Sequence, residues 1–258
     1  MRTLRRNNKL IPSGKDIQTR IILSIPLTGL VRAEWMLARY GQTTPVNWSL
    51  AEFVQWIDSF SPLSYAVDDA RNMAVQFAIE RGAEWLLFID HDTILPLDTF
   101  IKINSFISEG KYPVLCGLYA AKGSPAEPLL FRGRGNSWYR NWKKGDKVWV
   151  DGIPMGCTVI HMKLLKAMYD ESEEYSAGAH KLRRVFKTER SVSIDPVTHA
   201  RTMEGGTEDL WWCDRVLKEK WIERLGYKVP HPKWPFLIDT GIWCGHIDND
   251  GRIYWPET

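Results

Sequence analysis

Two apolar runs in the first third of the chain have the length and residue types of buried strands. RIILSI at positions 20–25 is rich in β-branched side chains and is closed by Pro26. EWLLFID at positions 84–90 is apolar between its two acidic ends. Neither run alternates with polar residues as a strand with one solvated face does. The pattern therefore predicts two strands buried inside a sheet.

Between these strands the apolar spacing becomes helical. In DDARNMAVQFAIERG, at positions 68–82, Met73 and Phe77 recur at helical spacing, and Gly82 is a natural stop. The same reasoning predicts further helices at 31–40, 98–109, 163–169 and 208–225, and further strands near 53–56, 112–120, 157–160 and 236–239.

The order of these elements predicts an α/β fold. Strands that alternate with helices in the first half indicate a parallel sheet with helices on both faces, and the strand-rich second half makes the central sheet mixed. Residues 1–18 are interpreted as a basic N-terminal tail and 19–258 as one domain. Residues 170–206 show no clear pattern, which predicts a long mobile loop.

Composition narrows the functional classes. Among 258 residues the net charge is only +3, and much of the excess lies in the tail, so the sequence does not favour a dedicated nucleic-acid binder. The four cysteines form no CxxC pair, which argues against structural zinc. We expect a cytoplasmic protein, because no signal peptide or membrane-spanning run is evident.

The strongest chemical motif is FIDHDT, at positions 88–93. Asp90 and Asp92 end an apolar strand and are two residues apart, so on extended backbone they point the same way. Such a pair suits Mn²⁺ or Mg²⁺ carrying substrate phosphate oxygens. The alternative is an ordinary polar turn after a strand. His91 faces the other way and is predicted to pack.

Four other residues complete a candidate site. Arg71 lies near the start of a predicted helix and suits an anion, although an exposed pairing with Asp68 or Asp69 is the simpler alternative. Glu208 and Asp209 open another helix, where acids commonly act as caps.

Asp209 nevertheless has the chemistry of a general base for an acceptor hydroxyl. His246, in CGHID, could complete the metal coordination begun by Asp92, although a lone histidine is more often structural.

Taken in order, these motifs resemble the GT-A glycosyltransferases close to family 2, in compact versions common in viruses and microbes. The resemblance covers roughly residues 19–250, through RIILSIP, DDARNMAVQFAIERGAEWLLFIDHD, VDGIPMGCTVI, TEDLWWCDRV and CGHID. It implies the Rossmann-like nucleotide-diphospho-sugar transferase fold, with a nucleotide-binding half at 19–119 and an acceptor-binding half at 120–258. The usual acidic signature of the second strand is missing between residues 28 and 68.

The resemblance also implies roles for single residues. Pro26 and Thr28 would hold the base and ribose, and Asp90 would contact the ribose or the metal. Asp92 and His246 would bind the metal. Arg71 matches the arginine of the Arg-Asn pair that the family has before its D-x-D strand.

Glu208 and Asp209 match the pair of catalytic acids found in the family's inverting members, with Asp209 as the base. The implied activity is hexosyltransferase-like, with a nucleotide-sugar donor and an unknown acceptor. A histidine ligand near the C-terminus also occurs in retaining enzymes. The alternatives are a nucleotidyltransferase of similar fold and a non-catalytic module that binds sugar or nucleic acid.

Overall fold

The chain folds around a mixed sheet of seven strands, seen in a computed structural model that describes residues 5–6, 9–10, 20–43, 55–133, 139–194 and 201–257. The helices are α1 (Ala33–Tyr40), α2 (Val67–Glu80), α3 (Thr99–Glu109), α4 (Met162–Asp170), α5 (Glu208–Lys218) and α6 (Trp221–Arg224). The strands are β1 (Arg5–Arg6), β2 (Lys9–Leu10), β3 (Arg20–Ser24), β4 (Gln55–Phe60), β5 (Trp85–Ile89), β6 (Thr93–Ile94), β7 (Val114–Leu118), β8 (Lys147–Val150), β9 (Cys157–His161), β10 (Glu174–Ala177), β11 (His180–Arg183), β12 (Glu189–Ile194), β13 (Arg201–Gly206), β14 (Phe236–Trp243), β15 (Gly245–Ile247) and β16 (Ile253–Tyr254).

The strand order of the large sheet is β4–β3–β5–β9–β7–β14–β8. β3 runs parallel to β4 and β5, and β14 runs parallel to β7. β9 is antiparallel to both β5 and β7, and β8 is antiparallel to β14. The predicted mixed sheet is confirmed. β9 comes from the predicted acceptor-binding half, but in the sheet it lies between β5 and β7 of the predicted nucleotide-binding half. The two predicted halves therefore share one sheet, and the division at residues 119 and 120 does not separate its strands.

Alternate side chains of the central strands enter two separate cores, one on each face of the sheet. In β5, Leu86 and Phe88 belong to the core that also contains residues of α2, α4, α5 and α6. Leu87 and Ile89 belong to the opposite core, with residues of α1 and α3. Burial on both faces explains why this strand is an unbroken apolar run, and it confirms helices on both faces of the sheet.

The predicted helices are confirmed in position, with one correction. α1 ends before Gly41, and α2 ends at Glu80 close to Gly82, whose φ is +62°. The single helix predicted over 208–225 is wrong: α5 ends at Lys218 and α6 begins at Trp221. Lys220, with φ of +55°, turns the backbone into the left-handed region between them.

Residues 170–206 are not the irregular loop that the sequence predicted. β10 pairs with β11 and β12 pairs with β13, so the segment contains two antiparallel hairpins. In the first hairpin only Ala177 and Leu182 are buried, which explains why no apolar periodicity is visible in the sequence. The mobility of this segment stays a prediction.

Two other expectations fall partly outside the described residues. Within the predicted tail 1–18, β1 and β2 pair antiparallel, and the other positions of the tail are not described. The strand predicted near 53–56 is β4, which begins at Gln55. No helix in the described part of the chain is both long enough and apolar enough to cross a membrane.

Candidate functional site

The candidate site lies where β3 and β5 end. Because these strands are parallel neighbours, the residues that follow them meet at one edge of the sheet, where ligands bind in α/β folds. Thr28 Oγ1 lies 3.2 Å from His91 Nε2. Pro26 is buried and lies between Ile25 and Leu27, whose backbone contacts the end of β4 and the residues just after it. The structure thus brings Thr28, predicted to hold the nucleoside, next to the D-x-D segment.

Arg71 joins two carboxylates that are distant in sequence. Its side chain is only 2% exposed; its Nε donates to Glu208 Oε1 at 2.8 Å, and its Nη2 donates to Asp90 Oδ1 at 3.0 Å and Oδ2 at 3.1 Å. The simpler alternative, pairing with Asp68 or Asp69, is not what the structure shows. Asp68 accepts from the Thr188 amide and Asp69 accepts from a tyrosine hydroxyl.

This buried triad fixes the position of Asp90. Burial raises the pKa of Asp90, the Arg71 guanidinium opposes the rise, and the net pKa lies above its usual value. For Arg71 itself burial would lower the pKa, but the two carboxylates outweigh burial and raise it. Arg71 Nη1 is buried with no hydrogen-bond partner among the described residues. Since the other two nitrogens are committed to carboxylates, the geometry favours a positioning role for Arg71.

Asp92 lies in a turn after β5, not on the extended backbone that the sequence predicted, and its partner is His246 where that of Asp90 is Arg71. The two residues are 154 positions apart, and His246 Nε2 lies 3.2 Å from Asp92 Oδ2. Pairing of β15 with β6 sets His246 opposite Thr93, and the Ile247 amide donates to the Asp92 carbonyl at 2.8 Å. His246 Nδ1 lies 2.8 Å from the Ala120 carbonyl oxygen. A carbonyl only accepts, so Nδ1 carries the hydrogen and Nε2 is turned toward the carboxylate.

Lys122 completes this cluster. Its Nζ lies 2.6 Å from Asp92 Oδ2, the same oxygen that faces His246. Burial alone would raise the pKa of Asp92, but hydrogen bonds and positive charge from His246 and Lys122 outweigh burial and hold the pKa well below its usual range. Asp92 is therefore ionised at neutral pH.

The pair formed by Asp92 and His246 fits a hard divalent cation. A ligating histidine normally donates its other ring N–H to a carbonyl or carboxylate, as His246 does to Ala120. Two protein donors leave positions for diphosphate oxygens and water, which Mg²⁺ prefers. In the described parts of the chain, no place brings together three or more histidine, cysteine, aspartate or glutamate side chains that could hold a metal ion. Asp90 is not in the pair, because both of its oxygens accept from Arg71.

Asp209 lies in the first turn of α5, next to the buried Glu208. Its Oδ1 accepts from the Leu210 amide at 2.7 Å and from the Thr207 hydroxyl. Burial and the Glu208 charge raise the pKa of Asp209 to about 6. A carboxylate with that pKa is ionised at neutral pH and is a stronger base than an ordinary aspartate.

Sequence reasoning missed several contributors to the site. Lys122 and the Ala120 carbonyl follow β7, another strand that ends near this edge. The position of a lysine just after a predicted strand was the signal in the sequence that could have identified Lys122. Trp35 Nε1 donates to the Asp90 carbonyl at 2.9 Å. A backbone acceptor and a tryptophan donor leave no signature in sequence, because every residue has a carbonyl and tryptophan also serves ordinary packing.

Comparison with known proteins gives a result at the level of fold. No protein-family model matches the sequence, and neither does any curated protein. The crystal structure of A197 from STIV aligns with 93% of this chain and 95% of that chain, at 17% identity and a TM-score of 0.52. Agreement over nearly the whole of both chains shows a shared fold.

Two other structures match over smaller parts. S. aureus TarS 1–349 in complex with UDP aligns with 58% of this chain and 48% of that chain, at 13% identity and a TM-score of 0.37. A glycosyltransferase involved in the glycosylation of the major capsid of PBCV-1 aligns with 59% of this chain and 66% of that chain, at 17% identity and a TM-score of 0.30. Overlaps of this size carry no information about the activity of this chain. The chain shares the fold of the A197 structure, and its mixed seven-stranded sheet with helices on both faces is the architecture that the sequence predicts.

Proposed function

We propose that the protein is a metal-dependent glycosyltransferase, which moves a sugar from a nucleoside-diphosphate sugar to an acceptor. The observation that carries the proposal is the contact between Asp92 and His246, with His246 Nδ1 held by the Ala120 carbonyl. This pair lies at the ligand-binding edge of a GT-A-like sheet. A carboxylate and an oriented imidazole are suitable ligands for Mn²⁺ or Mg²⁺.

The remaining residues of the edge divide between donor binding and positioning. A divalent cation bound by Asp92 and His246 would supply charge neutralisation for the leaving diphosphate. Pro26 and Thr28 are proposed to border the nucleoside, and Asp90 to bind its ribose. Arg71 holds Asp90 in place through two hydrogen bonds. Arg71 would then act through Asp90 and not by direct contact with the diphosphate.

Asp209 is the proposed general base, and the transfer is then inverting. The acceptor hydroxyl oxygen forms a bond to the anomeric carbon and its proton passes to Asp209. The bond between the anomeric carbon and the diphosphate oxygen breaks, and its electron pair leaves with the diphosphate. Glu208 raises the pKa of Asp209 by its charge and accepts from Arg71, so it tunes the base.

A thermal-shift screen tests the donor site. UDP, GDP, CDP and dTDP are added with and without Mn²⁺ to the wild type, to Asp92→Ala and to Asp170→Asn, which removes an exposed carboxylate of an ordinary surface ion pair. A ligand present at about one hundred times its Kd stabilises the folded state by ~2.7 kcal/mol. For a domain of this size that corresponds to a rise in Tm of roughly 5–10 °C.

The proposal predicts a shift with one diphosphate that requires Mn²⁺, is lost in Asp92→Ala and is kept in Asp170→Asn. No shift with any diphosphate would contradict it. A shift with nucleoside triphosphates alone, with pyrophosphate released in the presence of a sugar phosphate, would replace it with a nucleotidyltransferase.

A further inference from the structure

Lys122 contacts the Asp92 oxygen that faces His246, which is the oxygen placed to share a metal ion with that histidine. Asp92 Oδ2 lies 2.6 Å from Lys122 Nζ and 3.2 Å from His246 Nε2. The side chain of Lys122 is 33% exposed, so its ammonium group faces the open edge of the sheet. An ammonium group at this distance makes a charge-assisted hydrogen bond, one of the strong kinds in proteins.

The backbone around Lys122 is fixed, whereas its side chain can move. The Ala121 amide donates to the Glu127 carbonyl at 2.8 Å, and Ala120 forms a bridge with Pro128. Ala120 also accepts from the His246 ring. The same short segment therefore holds the histidine and carries the lysine. A flexible four-carbon stem lets the ammonium group shift by a few ångströms while the backbone keeps it beside the site.

Lys122 cannot keep its contact with Oδ2 when a divalent cation is bound there, because like charges at contact distance repel strongly. The displaced ammonium group needs another anion nearby, and the diphosphate of the donor is the anion that the site brings in. A lysine amine suits this role, since it binds phosphate as a compact charge with three rotatable donors.

We propose that Lys122 is a diphosphate-contact residue that exchanges partners: it pairs with Asp92 in the unliganded protein and with an oxygen of the leaving diphosphate when donor and metal are bound. This inference rests on the proposed function and adds to it a second cation at the leaving group. Lys122 thereby holds the carboxylate in place before binding and shares the diphosphate charge afterwards. It also competes with the metal for Asp92, so the free protein should bind metal weakly and the donor complex tightly.

The experiment compares Lys122→Met, which keeps the length of the side chain and removes the charge, with Lys122→Arg. Lys111→Met is the matched control, since Lys111 is 63% exposed and pairs with surface Glu109. Titration calorimetry first measures the binding of Mn²⁺ alone. With Mn²⁺ present, it then measures the binding of UDP, GDP, CDP and dTDP and, for comparison, of the matching monophosphates. Circular dichroism confirms that each variant is folded.

Lys122→Met should bind Mn²⁺ alone more tightly, by about threefold to tenfold, because a competing cation is gone. Its affinity for the diphosphate should fall by about tenfold or more, which is the effect of losing one charge-assisted hydrogen bond. Its affinity for the monophosphate should change little. Lys122→Arg should keep most of the diphosphate affinity. Diphosphate and Mn²⁺ affinities in Lys122→Met equal to those of Lys111→Met would overturn the proposal. A wild type that binds the diphosphate equally well with and without Mn²⁺ refutes instead the metal site of the proposed function, so the two failures are distinguishable.

Discussion

Replacement of Arg71 by methionine should strongly destabilise the protein. Methionine fills a similar volume, so the change removes the charge and its hydrogen bonds and leaves the packing largely intact. Asp90 and Glu208 would then be two carboxylates without their common partner. Both contacts are short, at 3.0 Å to Asp90 and 2.8 Å to Glu208.

The size of the effect follows from the burial of the two carboxylates. Breaking a buried ion pair by removing one partner costs about 3–5 kcal/mol. The side chain of Glu208 is 8% exposed and that of Asp90 is 23% exposed, so water can solvate Asp90 in part and Glu208 hardly at all. We therefore expect a loss of about 3 kcal/mol at pH 7, most of it from Glu208. That is a large share of a typical stability of ~5–15 kcal/mol.

Urea unfolding at several pH values measures this loss. In Arg71→Met the folded-state pKa of Asp90, which burial already raises, should rise further because the opposing guanidinium is gone. The part of the deficit that comes from Asp90 is then fully present above that folded pKa and shrinks as the pH falls through it and the carboxylate takes up a proton. Adding Glu208→Gln should recover part of the stability. Arg140→Met, at a side chain that is 74% exposed, is the control and should change stability by less than about 0.5 kcal/mol. A loss in Arg71→Met below about 1 kcal/mol, or one that does not depend on pH, would refute the reasoning.

Three further predictions follow from single contacts. The rate of transfer should fall as the pH drops through about 6, the pKa to which burial and the neighbouring glutamate raise Asp209, and a pH–rate profile flat from 5 to 8 would exclude this base. Gly156→Ala should lower the unfolding free energy by about 1–3 kcal/mol in urea, since the new Cβ would lie 2.6 Å from the Tyr119 hydroxyl; an unchanged midpoint would mean that the tyrosine moves freely. Asn72→Ala should speed amide hydrogen exchange at Phe186, whose N–H donates to Asn72 Oδ1 at 2.8 Å, and equal protection in both proteins would contradict that anchoring role.

The first half of the fold was predictable because burial on both faces leaves an unmistakable pattern. β5 is apolar throughout, so its end at Asp90 and the position of Asp92 at the sheet edge could be predicted from the sequence. The meeting of Asp92 with His246 across 154 positions was anticipated from the CGHID motif and from the family resemblance. No local pattern contains that contact; the pairing of β15 with β6 creates it.

The partners of Arg71 could not be predicted, because the choice between near and distant carboxylates is made by packing. Asp68 and Asp69 are close in sequence but are occupied by other donors in the folded chain. Glu208 is 137 positions away and is brought to Arg71 by the packing of the core. The break at Lys220 was equally hidden, since a lysine gives no warning of left-handed backbone.

Crystals grown with Mn²⁺ and the nucleoside diphosphate that gives the largest thermal shift would show whether Asp92 and His246 bind the metal of the donor complex. Anomalous scattering from manganese locates the ion without any assumption about its ligands. We expect one strong peak within coordinating distance of Asp92 and His246 Nε2, with diphosphate oxygens on its open side and Lys122 turned from Asp92 to the diphosphate. A diphosphate bound elsewhere, or bound at this edge with no manganese peak beside Asp92, would contradict it.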